Sequence, residues 1–236
     1  MITTSDALAS LKSNFFTAVQ THLSPVVIEQ AFTGQFQRKR LFYDHYLLYP
    51  FLLQVLNGLS CQQTLLDALG RGLLPLNIGK HNAGYCNARM ALPEAPLQTL
   101  LEQTASTITA AAPELVPGRR IKVVDGTTVR LADTALNQAE YPQNGSQLPG
   151  EGSPLLSILA LLSLESGAVL KLALCNPRGN DARRFAKLWN ALEPGDIVLG
   201  DEAFESYRNL AALQQRQADG IFPMHRRVCD PDMAQE

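Results

Sequence analysis

The stretch Ile121-Lys122-Val123-Val124-Asp125-Gly126-Thr127-Thr128-Val129-Arg130-Leu131 constrains the fold of this chain more than any other. Its opening residues are apolar or β-branched except for one lysine, then a carboxylate arrives and a glycine follows at once. The pattern predicts a buried strand ending in Asp125. An acid at the end of a buried strand has two readings. Asp-Gly is a common turn pair, and Asp125 can cap such a turn with the Thr127 and Thr128 hydroxyls offering further local bonds. Alternatively, Asp125 binds a metal. A second stretch bears on the choice: Asp196-Ile197-Val198-Leu199-Gly200-Asp201-Glu202-Ala203-Phe204 is again a short apolar run with an Asp at its end. Two neighbouring parallel strands would set Asp125 and Asp201 side by side, where carboxylates repel unless a cation or a shared proton stabilises them. The pair is therefore the candidate site.

A chain of 236 residues, 46% hydrophobic and 18% charged, is ordinary for a soluble globular protein of one large or two modest domains. The longest apolar stretch, 155–164, is far short of the roughly 20 residues that a spanning helix needs. The first residues have neither a basic segment nor a long apolar core, so no signal peptide is expected and the expected compartment is the cytoplasm. Cys61, Cys86, Cys175 and Cys229 are scattered, without a C-x-x-C pair, and read as small buried hydrophobes rather than zinc ligands. The net charge of −2 excludes binding to a polyanion by bulk charge. Any nucleic-acid contact must come from local clusters such as Arg38-Lys39-Arg40, Arg119-Arg120, Arg183-Arg184 with Lys187, and Arg226-Arg227.

The first half reads as helices. Apolar residues Leu8, Leu11, Phe15 and Val19 recur at helical spacing over 6–20, and Ser24-Pro25 caps a second helix that stops at Gly34. Residues 41–56 form a kinked helix or two short ones around Pro50, with Phe42, Tyr43, Tyr46, Tyr49 and Phe51 in the core rather than on a base-stacking platform. Ser60 and Gln63 fit a capping box for a helix ending at Gly70. Helices over 83–90 and 94–112 follow, and the proline-bearing 113–118 is the expected domain boundary. Beyond it come the first strand, a long surface loop over 132–154, a hairpin of 155–164 with 168–175, a helix over 182–192, the strand ending in Asp201, a helix over 205–217 and a last strand over 220–224. This β-β-β-α-β-α-β order is what a ribonuclease-H-like sheet requires, and in such a sheet the first and fourth strands are neighbours. The fold class is α/β: a helical N-terminal domain over 1–116, then a ribonuclease-H-like mixed sheet with flanking helices over 117–236.

Several of these motifs occur together: Val123-Val124-Asp125-Gly126-Thr127-Thr128, Asp133-Thr134 with Asn137, Tyr141-Pro142-Gln143, Pro149-Gly150, Ser166-Gly167, Glu193-Pro194-Gly195-Asp196, and Gly200-Asp201 with Phe204 and Tyr207. Jointly they resemble the DDE cut-and-paste transposases of bacterial insertion sequences, in particular the group called the IS-four family. Tyr85-Cys86-Asn87-Ala88-Arg89 is similar to that family's helical region ahead of the catalytic core. The resemblance implies that Asp125 and Asp201 are the first two of three catalytic acids holding two Mg2+ (or Mn2+) ions. It also implies that the partner is double-stranded DNA at the element's terminal inverted repeats, with a homodimer as the assembly, and that the reaction is phosphodiester cleavage and strand transfer. Two departures stand out. The family's third acid is a Glu on a late helix, and Glu202, Glu205, Asp232 and Glu236 do not supply it. Glu202 also stands where the family commonly has an Arg. The expectation is therefore an incomplete ribonuclease-H-like core, truncated before the helix of the third acid and catalytically crippled. A non-catalytic DNA- or transposase-binding remnant is the alternative. A haloacid-dehalogenase-type phosphatase shares the Asp-Gly-Thr and Gly-Asp signals, but its nucleophile position is Val123 here, and without a nucleophile that reading falls behind.

Overall fold

The computed structural model describes residues 19, 21–36, 41–78, 81–148, 150–176 and 181–223. Most of the helix expected over 6–20, the cluster Arg38-Lys39-Arg40, and Arg226, Arg227, Cys229, Asp232 and Glu236 lie outside these residues. The chain forms two compact units, Met1–Leu100 and Leu101–Glu236.

In the first unit, helix α1 (Pro25–Phe32) starts where Ser24 accepts from the Val27 N–H and proline occupies the first turn. Helix α2 (His45–Asn57) begins later than the apolar run suggests, because Asp44 caps it by accepting from the Tyr46 N–H. It runs through Pro50 as one helix and closes on Gly58, whose φ of 64° is left-handed. Helix α3 (Cys61–Gly70) carries the expected reciprocal box: Gln63 N–H donates to Ser60 Oγ at 3.3 Å and Ser60 N–H donates to Gln63 Oε1 at 3.2 Å. Helix α4 (Ala83–Met90) follows. Ile28, Leu47, Leu53, Ala68 and Tyr85 form the core, with Phe42, Tyr46 and Phe51 packed on it. Tyr49 is buried and its hydroxyl donates to the Leu23 carbonyl at 2.7 Å, as a core aromatic with a satisfied polar tip should.

Helix α5 (Glu94–Ala111) runs across the division between the units. The division thus falls inside a helix, ahead of the 113–118 stretch. The reason is visible in the polar contacts of its C-terminal part: Glu102 pairs with Lys171 at 3.7 Å, Thr109 shares a hydrogen bond with Ser166, and the Ala112 carbonyl accepts from Arg120. Residues 113–118 form an exposed turn in which Glu114 accepts from the Gly118 N–H. Limited proteolysis is expected to cut there, at Leu115, before it cuts within 121–131. Early fragments ending inside 121–131 would contradict this.

The second unit is built on a five-stranded mixed sheet in the order β3-β2-β1-β4-β5. Strand β1 (Ile121–Arg130) pairs antiparallel with β2 (Leu155–Ser163), which pairs antiparallel with β3 (Val169–Cys175). On its other side β1 pairs parallel with β4 (Ile197–Leu199), and β4 pairs parallel with β5 (Asp219–Ile221). Helix α6 (Ala135–Glu140) lies in the 132–154 connection, α7 (Asp181–Phe185) passes into a 3₁₀ turn (Ala186–Ala191) before β4, and α8 (Tyr207–Gln215) precedes β5. This is the mixed α/β architecture and strand order expected of a ribonuclease-H-like sheet. Val124, Leu159, Leu161, Phe185, Leu188, Val198 and Phe204 make its core.

Three local expectations change. Strand β1 does not end at Asp125: it pairs with β2 as far as Arg130, because β2 supplies ladder partners to residues that are themselves exposed. The 132–154 connection is not a plain loop. Thr134 caps α6 by accepting from Asn137, and the buried Gln143 donates to the Gln147 and Leu148 carbonyls while accepting from the Gly152 N–H. The single helix expected over 182–192 tightens to 3₁₀ at Ala186, and the Ala191 carbonyl at its end accepts from Lys122 Nζ at 2.8 Å.

Candidate metal-binding site

Asp125 lies in mid-ladder, opposite Ala160 of β2, and Gly126 opposite Leu159, so the turn-cap reading fails. On the other side, β1 and β4 run parallel with Ile121 opposite Ile197, Lys122 opposite Val198 and Val123 opposite Leu199. Continued by two residues, this register would set Val124 beside Gly200 and Asp125 beside Asp201. Gly200 supports the continuation. Its N–H donates to the Ile221 carbonyl, and a Cβ at Gly200 would lie 2.9 Å from Val124 Cγ1 and 3.1 Å from Phe204 Cδ2. Glycine is required because the two strands and the Phe204 ring close on that point.

Both carboxylates are exposed, and each has one oxygen bonded to a nearby backbone amide. Asp125 Oδ1 accepts from the Gly126 N–H at 2.7 Å, and Asp201 Oδ1 accepts from the Ala203 N–H at 2.9 Å, capping the 3₁₀ turn Glu202–Phe204. Each acid thus presents its second oxygen from a fixed stem. Two hard carboxylate oxygens, with water or phosphate completing the shell, suit Mg2+ or Mn2+, which are usually held by one or two carboxylates and substrate oxygens. Two acids fall short of a complete protein cage, and among the described residues no group of three or more His, Cys, Asp or Glu could hold a metal.

The acids that follow Asp201 do not complete it here. Glu202 and Glu205 are on the turn that Asp201 itself caps, and Asp232 and Glu236 lie outside the described residues. Asp219, an acid that sequence reasoning passed over, opens β5 opposite Ile197, at the far end of the parallel strands, and pairs with Arg119 at 2.6 Å. That same far end holds a buried ion pair, Lys122 with Asp196 at 2.6 Å, and a cleft of about 410 Å³ lined by Glu102, Arg120, Lys122, Glu165, Lys171 and Glu193 among others. Burial pushes the Glu165 carboxyl up. Bonds from the Ile121 N–H, its own backbone and Ser163, with Arg120 nearby, outweigh that and hold it below its ordinary value. The cleft's polar groups serve the entry of β1 and include neither Asp125 nor Asp201.

Several other motif residues are structural. Asp196 closes the Glu193-Pro194-Gly195-Asp196 turn by accepting from the Glu193 N–H, and Asn137 donates to the Ala132 carbonyl.

Residues 116–230 match the family model of the transposase DDE domain. Both candidate acids and all five strands fall inside the DDE match. No curated protein matches the chain. Among solved structures, a piggyBac transposase synaptic complex with hairpin DNA is similar at 10% identity, with a TM-score of 0.44 over 97% of this chain and 53% of that one. A Mos1 transposase paired-end complex with a left transposon end is similar at 11% identity, with a TM-score of 0.29 over 78% of this chain and 60% of the other. A Mos1 mariner paired-end complex with Mn gives 11% identity and a TM-score of 0.30, covering 99% and 81%. The chain thus spans about half the length of the piggyBac transposase. No helix among the described residues is long and apolar enough to cross a membrane.

Proposed function

We propose that this chain is a transposase of a bacterial insertion sequence, acting on double-stranded DNA at the element's terminal inverted repeats, in which Asp125 and Asp201 are metal-binding catalytic acids. One observation supports the reading: the parallel β1/β4 register, inside the DDE match, would bring Asp125 and Asp201 side by side if it continued two residues past Val123 and Leu199. Asp125 and Asp201 would hold a divalent ion, which when bound would supply activation of a water or a DNA 3′-hydroxyl and stabilisation of the leaving oxygen. The chain's own part is to hold two carboxylates rigidly. The backbone bonds to Asp125 and Asp201 fix each carboxylate before a ligand arrives, so little ordering remains to be done on binding.

The second reading is a DNA- or transposase-binding protein without turnover, and it is favoured by the lack, among the described residues, of any group of three or more His, Cys, Asp or Glu that could hold a metal. One experiment tests both. Mn2+ binding to the full chain is measured by electron paramagnetic resonance, and cleavage of duplex DNA carrying the element's terminal repeats is measured with Mg2+ or Mn2+. Metal-dependent cleavage supports the first reading. Mn2+ binding and DNA binding without cleavage support the second. A chain that binds no Mn2+ defeats the assignment of Asp125 and Asp201.

A further inference from the structure

The Tyr85-Cys86-Asn87-Ala88-Arg89 segment has no part in the metal site, yet it holds one half of a second chemical arrangement. Cys61 is the first residue of α3 and Cys86 lies in the middle of α4. Both are free and only half-buried, unlike the buried Cys175, and Cys61 Sγ shares the Gln54 amide with Tyr85 and Arg89, which flank Cys86 on α4. Gln54 of α2 orders the pair. Its Nε2 donates to Cys61 Sγ at 3.5 Å, while its Oε1 accepts from the Tyr85 hydroxyl at 2.7 Å and from Arg89 at 3.3 Å, which keeps the amide N–H turned toward sulfur.

The two thiols are not equivalent. Partial burial pushes Cys61 up, but the bonds from Cys86 and Gln54 and the charge of Arg89 outweigh it and hold this thiol below its ordinary value. The bond to Cys61 pushes Cys86 up. Cys61 is thus the more readily deprotonated of the two, the division of labour between an attacking and a resolving cysteine.

We propose that Cys61 and Cys86 are a redox pair that hydrogen peroxide closes to a disulfide within one chain. The Cys61 thiolate attacks one peroxide oxygen, the O–O bond breaks, and the departing hydroxide takes a proton to become water. This leaves Cys61 as a sulfenic acid. Cys86 sulfur then attacks Cys61 sulfur, the S–S bond forms as the S–O bond breaks, and the released hydroxide leaves as water with the Cys86 proton. Overall two thiols lose two electrons and one peroxide becomes two waters.

The test uses the full chain under native conditions, treated with hydrogen peroxide and digested with trypsin without reduction. Arg71 lies between the two cysteines, so they fall in different peptides. The expected product is a Cys61–Cys86 linked peptide from monomeric protein, abolished by dithiothreitol. In Cys86→Ser the reaction should stop at sulfenic acid on Cys61, trapped by dimedone. In the unsubstituted reduced chain, brief labelling with iodoacetamide should modify Cys61 about tenfold faster than Cys86. Mapping of the unsubstituted chain needs no variant to fold. Absence of the linked peptide, linkage only between chains, or equal labelling of the two cysteines would overturn the proposal.

Discussion

Asp125→Asn and Asp201→Asn are each expected to weaken Mn2+ binding by about two orders of magnitude or more, and to lower any metal-dependent DNA cleavage in parallel. The direct electrostatic attraction of a carboxylate for a divalent ion is worth several kcal/mol, and every 1.4 kcal/mol is tenfold. Asparagine keeps the shape of aspartate and one oxygen but removes the charge. At position 201 it also keeps the cap of the 3₁₀ turn, since Asn serves there as well as Asp. Both carboxylates are exposed, so the folded state should change by only about 0.5 kcal/mol, and circular dichroism should be unchanged. The double variant should bind more weakly than either single one, because the acid left in each single variant still attracts the ion. Mn2+ titration of the four proteins is the check. Full binding in either single variant removes that residue from the site.

Lys122→Met is expected to destabilise the chain by about 3–5 kcal/mol, a large share of the stability of an ordinary domain. Lys122 Nζ lies 2.6 Å from Asp196 Oδ2 and donates to the Ala191 carbonyl, and the two side chains are only 9% and 3% exposed. Removing the ammonium strands the Asp196 carboxylate in the interior with the Glu193 N–H as its remaining donor, and deprives Ala191 of its partner. Lys122→Met with Asp196→Leu should recover much of the loss, because a buried pair replaced by apolar side chains of similar volume is close to neutral. Urea unfolding of the three proteins gives the comparison. A single variant as stable as the parent would mean that the pair is solvated.

Much of the architecture is legible in the sequence because it is locally encoded. Ser24-Pro25 and the Ser60/Gln63 box mark helix starts through side chain to backbone bonds that span three residues, and both form. The strand order follows from the alternation of apolar runs with one crossover helix. Features that depend on distant partners are not legible. Lys122 is the one charged residue in an apolar run, and only Asp196, remote in sequence, explains it. Residues 126–130 are exposed and carry a glycine, so nothing local distinguishes a strand from a turn until β2 pairs with them. Cys61 and Cys86 belong to different helices, with Gln54 of a third beside them, so scattered spacing conceals their proximity. For Asp125 and Asp201, the apolar runs that lead to them are visible in the sequence, whereas the parallel pairing of those runs is supplied by the sheet.

The parallel pairing of β1 with β4 has a consequence for the order in which the molecule assembles. Strands β1, β2 and β3 form an antiparallel meander from consecutive segments, which can close early. The parallel contacts join residues much farther apart, with Arg119 and Gly195, which bond beside the β1/β4 ladder, separated by 76 positions, and such non-local closure is slow. Asp125 is therefore expected to be in place on a half-built sheet while Asp201 is still on an undocked segment. In stopped-flow refolding, Mn2+ capture should appear only with the slowest phase, so that a nascent or partly unfolded chain carries no cation and none of the phosphodiester chemistry that a cation would support.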